Sequence, residues 1–366
     1  MSNNENLLKL ISDLISFKTV YPDKDEFTKC IKYIKNYFKG ANSCIKEFEF
    51  NDSKSIIISN TDSKNFDVIF NGHIDVVPAT ENLFILKKED DILYGRGVSD
   101  MKGQVAVMMQ VMKKISKKQM NKKIALILTS DEERGGFDGV NKLLNEYGYS
   151  CEIAIVPDGG FDYSLVIEEK GVLQIKITTT GKSCHSSEPW NGDNAIEKLL
   201  TVFNVIQTNF SNPKNQLEWK TSFNIAKIEG GDSLNKVPGK ASMYLDIRHI
   251  YDDKKDDLLS FIQKIDENLE VEILAIGHHF KNDENNLYVK KYVNVCEVLL
   301  DKKIKKIKFH GASDGRFFTE KNIPCIIMNP EGGNIHCDDE FVNLSSLSRL
   351  SDIYERYIEE LNEQQF

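Results

Sequence analysis

Histidine and acidic residues recur directly after stretches of the sequence that favour buried strands. His73 follows the apolar run 67–71, three consecutive acids at 131–133 follow the run 124–128, and Asp158 stands after another such run. Open α/β sheets bind their ligands at the carboxyl ends of the strands. The sequence therefore predicts that these side chains meet at one edge of a sheet.

Each of these residues also has an ordinary structural interpretation. His73 and Asp75 are two positions apart, so in extended chain they point to the same side, and the pair could be purely structural. Asp100 precedes an expected helix and could serve only as its N-cap. The acids at 131–133 could form a solvated charged loop.

Considered as a set, the same residues predict a metal centre. Adjacent carboxylates at a strand end cost electrostatic energy unless a cation compensates them. His73 and the distant His336 add imidazole to the carboxylates, a ligand set that suits zinc and also cobalt or manganese. With one shared carboxylate, the set is large enough to hold two ions.

Three of these segments carry a resemblance to a known family. Residues 72–78, 95–103 and 130–133 resemble the signatures of the ArgE/DapE family of co-catalytic zinc amidohydrolases and metallopeptidases. That family includes succinyl-diaminopimelate desuccinylases, acetylornithine deacetylases, aminoacylases and related carboxypeptidases. The resemblance covers nearly the whole chain, and Gly-Arg-Gly-x-x-Asp-x-Lys-Gly at 95–103 is its most specific segment.

The resemblance implies two Zn²⁺ ions, with Co²⁺ or Mn²⁺ as alternatives, and assigns their ligands. His73 and Asp158 would bind one metal, Glu133 and His336 would bind the other, and Asp100 would bridge the two.

The resemblance also implies three catalytic residues. Glu132 would be the general base that activates a metal-bridging water. Asp75 would orient the ring of His73. His185, otherwise an ordinary loop histidine, would reach the active site of a second subunit and donate a hydrogen bond to the oxyanion. A homodimer is therefore expected.

Substrate contacts are expected from three further residues. Asn235 matches a family position near the substrate. Arg248 and Arg316 have the planar guanidinium that suits carboxylates, although Arg248 could equally form a surface ion pair. The segment 311–317 resembles desuccinylases, but Ala312 stands where that pattern often has Thr.

The resemblance implies metal-dependent hydrolysis of the amide bond of an N-acyl amino acid. Succinyl-diaminopimelate desuccinylation ranks first, and the alternatives are acetylornithine deacetylation, a dipeptidase or another deacylase. Two other classes remain open: a non-catalytic binding protein that kept the fold, and a cysteine-nucleophile hydrolase. The seven cysteines include no CxxC pair and no nucleophile motif, which disfavours the last class.

The hydrophobic pattern predicts the elements that position these residues. Strands and helices alternate through 1–171 and return after 280, where a strand is predicted at 323–328 and a helix at 344–363. This indicates an α/β catalytic domain in two parts, 1–171 and 281–366. Between them, 172–280 has the order β-α-β-β-α-β of a ferredoxin-like unit, whose second helix is predicted at 254–268. Together with the resemblance, this implies a mixed-sheet, zinc-peptidase-like α/β catalytic domain with an inserted ferredoxin-like dimerisation domain.

The amino-acid composition limits the classes of partner that this protein is expected to bind. The 366 residues include 47 Lys+Arg and 56 Asp+Glu, a formal net charge of -9, and the lysine runs near 113–123 and 302–308 are interpreted as solvated faces. This balance argues against nucleic-acid binding.

The polar N-terminus has no signal-peptide pattern and no apolar run approaches a membrane span. With the odd number of scattered cysteines, this predicts a cytoplasmic protein. The resemblance implies that its partner is a small-molecule substrate.

Overall fold

The computed structural model describes residues 3–363, which divide into two compact units. The first unit contains the chain up to Ile167 and the segments 282–309 and 313 onward; the second contains 168–281 and 310–312. The predicted insert, 172–280, lies within the second unit.

The first unit contains most of the helices and strands. Its helices are α1 (Asn3–Ser16), α2 (Lys24–Tyr37), α3 (Lys102–Ile115), α4 (Val140–Asn145), α7 (Leu287–Leu300), α8 (Gly315–Glu320) and α9 (Leu344–Glu363). Its strands are β1 (Cys44–Phe50), β2 (Ser53–Ser59), β3 (Asn65–His73), β4 (Lys87–Glu89), β5 (Ile92–Tyr94), β6 (Ile124–Thr129), β7 (Ser150–Ile155), β14 (Lys306–Phe309), β15 (Cys325–Ile326), β16 (Gly332–Gly333) and β17 (Phe341–Asn343). Strand β8 (Leu165–Glu169) leads into the second unit.

The main sheet of the first unit has the order β1-β2-β6-β3-β7-β15. Its β1-β2 and β2-β6 pairs are antiparallel, whereas β6, β3, β7 and β15 run parallel. All six residues of β6 are buried, as expected for a parallel strand covered on both faces. Helix α3 is buried along most of its length, and Met108, Met109 and Met112 are core residues. The mixed-sheet α/β prediction is confirmed.

The parallel strands place several histidine and acidic side chains at one edge of this sheet. His73 is the last residue of β3 and is in register with Thr129, the last residue of β6. The chain then turns into a short 3₁₀ helix, Glu132–Arg134, and Asp158 follows the neighbouring β7. Because parallel strands end on the same side, the residues after them meet there.

The second unit has strands β9 (Gly171–Thr180), β10 (Ser222–Gly230), β11 (Lys240–His249), β12 (Glu270–Gly277) and β13 (Phe280–Lys281), with helices α5 (Ala195–Asn209) and α6 (Lys255–Gln263). The sheet order is β10-β11-β9-β12, and these pairs are antiparallel. Helix α5 buries Ala195, Leu199, Val202 and Ile206, one face at helical spacing. The predicted β-α-β-β-α-β order is therefore present.

Several predicted elements differ in length from the observed ones. The strand predicted at 323–328 is only Cys325–Ile326, because Pro324 has no N–H to donate and pairing with β7 lasts two residues. The helix predicted at 254–268 ends at Gln263. The Asp266 carboxylate accepts from Asn268 N (2.9 Å), and this local turn competes with helix. Helices α4 and α8 span only six residues each, and α8 was not predicted.

Within residues 3–363, no helix is both long enough and apolar enough to cross a membrane.

Candidate active site

Two groups of potential metal ligands lie in the first unit. In each group, three ligand atoms fall within 4.8 Å of one another. One group consists of His73, Glu132 and Asp158, and the other consists of Asp100, Glu133 and His336. The structure thus brings together all five predicted metal ligands and the predicted base.

The Asp100 carboxylate lies between the two histidines. Its Oδ1 is 3.0 Å from His73 Nε2, and its Oδ2 is 3.2 Å from His336 Nε2. Although burial opposes it, hydrogen bonds from both imidazoles lower the pKa of Asp100. The N-cap of α3 is Met101, which makes no side-chain capping bond, so the alternative that Asp100 only caps this helix is wrong.

Asp75 joins the loops that carry the two groups. Its backbone oxygen is 3.0 Å from His73 Nδ1, and its carboxylate Oδ2 accepts from Glu133 N (3.0 Å). The Nδ1 contact directs Nε2 of the His73 ring toward Asp100, the orientation that a metal ligand needs.

The electrostatics of the site fit divalent cations. Burial and the neighbouring Asp158 raise the pKa of Glu132 well above its usual range. Hydrogen bonds with Asp100 and Glu133 raise the pKa of His336 to about 10. Carboxylates gathered in a buried site repel one another unless cations compensate them, and mixed imidazole and carboxylate ligands suit zinc. Glu132, the predicted base, belongs to the same group as His73 and Asp158, so its carboxylate could also bind a metal ion.

Sequence reasoning missed a buried acceptor behind this site. The Glu340 carboxylate accepts from Gly97 N (2.9 Å), Ser99 N (2.8 Å), Asp100 N (3.1 Å) and Arg96 Nη1 (2.8 Å). These bonds hold the backbone that leads into Asp100. The only sequence signal was an acid four residues after His336, which has no distinctive meaning alone.

The segment around Arg316 contacts the loop that carries Glu132, the predicted base. Arg316 is 4% exposed, and its Nη2 donates to Gly135 O (2.7 Å). Thr129 Oγ1 donates to Asp314 Oδ2 (3.4 Å), and burial raises the pKa of Asp314 to about 6. Arg316 therefore supports the loop after Glu132, a contact that the predicted substrate role did not anticipate.

The other predicted site residues belong to the second unit. His185 is exposed, its Nδ1 is 2.7 Å from Ser187 Oγ, and it forms an isolated β-bridge with Lys236. Ser186 N donates to Asn235 O (3.0 Å), so His185 and Asn235 lie on adjacent segments. Arg248 pairs with Asp246, with Nε 3.1 Å from Oδ1, so the ion pair considered for it exists.

Comparisons with known proteins identify the family to which this sequence is similar. The sequence model described as peptidase family M20/M25/M40 matches residues 69–360. The chain is 29% identical to a succinyl-diaminopimelate desuccinylase of Ruthia magnifica subsp. Calyptogena magnifica, covering 95% of this chain and 96% of the relative. It is 28% identical to a probable succinyl-diaminopimelate desuccinylase of Staphylococcus aureus (strain MRSA252), covering 95% of each chain.

Solved structures show the same fold. A tripeptidase from Staphylococcus aureus subsp. aureus Mu50 superposes with a TM-score of 0.80 at 22% identity, covering 100% of both chains. Aminopeptidase PepT from Bacillus cereus ATCC 10987 gives a TM-score of 0.78 at 18% identity, covering 98% of this chain and 99% of that one. Since the family match spans most of the sequence, this chain belongs to peptidase family M20/M25/M40 and is a hydrolase acting on amide bonds.

Proposed function

We propose that this chain is a dizinc amidohydrolase that cleaves the amide bond of an N-acyl amino acid, with succinyl-diaminopimelate as the first-ranked substrate. The observation that carries this proposal is the Asp100 carboxylate, whose two oxygens face His73 and His336 at 3.0 and 3.2 Å. A shared carboxylate between two ligand groups is the arrangement that a two-metal site requires.

His73 and Asp158 would hold one ion, Glu133 and His336 the other, and Asp100 both. When bound, the ions supply the Lewis acidity that lowers the pKa of water and polarises the scissile carbonyl.

Glu132 carries the proton in this mechanism. As a carboxylate it takes a proton from the attacking water, and as a carboxylic acid it delivers that proton to the leaving nitrogen. Burial and Asp158 favour its protonated form, which suits the second half of this cycle. Asp75 keeps the His73 ring oriented through the contact to Nδ1.

The relatives named as desuccinylases support a succinylated substrate. That substrate carries carboxylates, and we propose Arg248 and Arg316 as their partners, with Asn235 as a further contact. Acetylornithine deacetylation and dipeptide hydrolysis are the alternatives. A peptide substrate is included because the structure resembles those of a tripeptidase and an aminopeptidase.

His185 would complete the site from the second subunit of a homodimer. Its exposed ring lies on a loop of the second unit, next to Asn235, and could donate a hydrogen bond to the oxyanion.

A substrate panel tests the proposal. The chain is stripped with a chelator, reloaded with Zn²⁺, Co²⁺ or Mn²⁺, and assayed for amine release from succinyl-diaminopimelate, acetylornithine, acetylmethionine and simple dipeptides. We expect activity to disappear on chelation, to return with metal, and to be highest with succinyl-diaminopimelate. No hydrolysis of any compound by the reloaded chain would contradict the amidohydrolase proposal. Inactivation by thiol alkylation without sensitivity to chelation would favour a cysteine nucleophile.

A further inference from the structure

A cavity lies in the first unit, between helices α1, α2 and α3. It has a volume of about 360 Å³, and its lining includes four lysines, two tyrosines and one carboxylate, that of Asp13. We call it the lysine pocket and define it by Lys9, Lys113, Lys114, Lys117, Tyr33 and Tyr37. The lysines on α3 and just after it belong to the run near 113–123, for which the sequence predicts a solvated face.

Two of the four lysines have acidic partners. Lys9 Nζ is 2.8 Å from Asp13 Oδ2, which also accepts a hydrogen bond from Tyr33 Oη (2.7 Å). Lys114 Nζ is 2.6 Å from Glu355 Oε1. These contacts neutralise one lysine on α1 and one on α3.

Lys113 and Lys117 have no such partner. Among residues 3–363, no acidic side chain forms an ion pair with either ammonium group. The two lysines are four positions apart, a spacing at which like charges repel each other. Two uncompensated positive charges in one cavity stand out in a chain whose formal net charge is -9.

Contacts with Tyr37 hold Lys113 at the wall of the pocket. Its Nζ donates to the Tyr37 carbonyl oxygen (2.5 Å) and lies 3.9 Å from the centre of the Tyr37 ring. Burial, assisted by repulsion from Lys117, lowers the pKa of Lys113. Lysines at a helix C-terminus commonly complement the helix dipole from solvent, and Lys117, which is exposed just after the end of α3, can do so. Lys113 differs, because its side chain is partly withdrawn from water.

We propose that the lysine pocket binds a small aromatic dianion of the phosphate monoester type. Lys113 and Lys117 pair with the two negative charges, and the tyrosine side chains contact the ring of the ligand. This site is separate from the metal ligands: α3 begins two residues after Asp100, and its 14 residues place the pocket end roughly 20 Å along the helix.

Pyridoxal phosphate is a suitable probe, because it combines a ring, a phosphate and an aldehyde. Its aldehyde condenses with a neutral lysine amine with loss of water, and borohydride then reduces the C=N bond to a stable secondary amine. The full chain loaded with zinc is treated with limiting reagent, reduced and mapped by peptide mass spectrometry. We expect Lys113 or Lys117 to be labelled at least tenfold faster than Lys32, an exposed lysine on α2, and phenyl phosphate to protect it. Labelling that is as fast at Lys32 and unaffected by phenyl phosphate would overturn the proposal.

Calorimetry with phenyl phosphate provides a second measurement on the same zinc-loaded chain. We expect Lys113→Gln and Lys117→Gln each to weaken binding at least tenfold, whereas Lys32→Gln, with the same loss of charge outside the pocket, leaves it unchanged. Circular dichroism verifies that all three variants are folded. If both pocket variants bind phenyl phosphate as tightly as the unsubstituted chain does, the phosphate binds elsewhere, for example at the metal centre, and the proposal is wrong. Inorganic phosphate that binds as tightly as phenyl phosphate would exclude the contribution of the tyrosines.

Discussion

Arg96 Nη1 lies 2.8 Å from Glu340 Oε2 in a buried ion pair between residues 244 positions apart. Arg96 Nη2 also donates to the carbonyl oxygen of His336 (3.2 Å), and Glu340 accepts from the amide of Asp100. One ion pair therefore joins the segment that carries Asp100, the proposed bridging carboxylate, to the segment that carries His336. We expect it to set the distance between these two proposed ligands.

Replacement of Glu340 by Gln tests this role. The amide nitrogen cannot accept from the backbone donors or from Arg96, and loss of one partner of a buried pair costs roughly 3–5 kcal/mol. We expect a lower melting temperature and, in chain that remains folded, weaker binding of the second metal ion by isothermal titration calorimetry. Turnover should fall in parallel with metal occupancy.

Glu89→Gln is the matched control, because Glu89 pairs with Lys87 on the exposed strand β4. Surface pairs contribute about 0–1 kcal/mol, so this variant should keep both its stability and its metal affinity. Normal metal affinity in folded Glu340→Gln chain would show that the ion pair does not position the ligands.

Replacement of Glu132 tests the proton carrier. Gln cannot accept a proton from water, so Glu132→Gln should lower turnover by roughly 10²–10⁴-fold, the usual contribution of a general base. Glu132→Asp keeps the carboxylate and should recover part of the loss. Metal content measured by atomic emission separates this role from metal binding: two ions per chain with lost turnover supports the base, whereas loss of one ion would identify Glu132 as a ligand.

Subunit mixing tests whether His185 acts across a dimer. His185→Ala should lose roughly 10²–10³-fold in turnover while it keeps its metals and its oligomeric state. Co-refolding it with Glu132→Gln should restore roughly a quarter of the original activity, because half of the dimers are hybrids and each hybrid has one complete site. A mixture as inactive as its parents would show that His185 does not cross the interface.

The second unit should lose stability in mild acid through His249. This side chain is 3% exposed, and burial lowers its pKa below the usual 6.5. Gly171 leaves room for the ring, since a Cβ there would come 2.2 Å from Nε2. The unfolded chain binds a proton near pH 6.5 and the folded chain only at lower pH, so the free energy of unfolding falls as the pH drops below about 6.5.

His249→Phe keeps a planar ring without a titrating group. We expect its free energy of unfolding to fall less than that of the unsubstituted chain between pH 7.5 and 5.5, which is measured as a smaller change in melting temperature. The difference should be about 1.4 kcal/mol for each unit by which the pKa of His249 is lowered. The exposed His310, replaced by Gln, is the control and should leave the pH dependence as it was. Equal acid sensitivity in the His249→Phe variant would assign the effect to other groups, such as the neighbouring His279.

Local patterns determined the elements of this protein and the residue types at the sheet edge. Helix α9 was predicted at 344–363 and observed at Leu344–Glu363, because its apolar positions repeat with helical spacing and its burial follows them. His73 and Asp158 were found as strand-end residues for the same reason: a continuous apolar run ends where a buried strand reaches the edge of its sheet.

Only the tertiary structure decided how these residues are connected. Taken alone, the position of Asp100 before a helix is equally consistent with a cap, and only the structure places its carboxylate between two imidazoles. Glu340 carries no local signal of its four hydrogen bonds. Arg316 is predicted as a substrate contact, and only the structure shows that its guanidinium also donates to the carbonyl oxygen of Gly135. Periodicity reports which face of an element is buried, whereas these contacts join segments 27 to 244 residues apart and depend on loop backbones that no local pattern specifies.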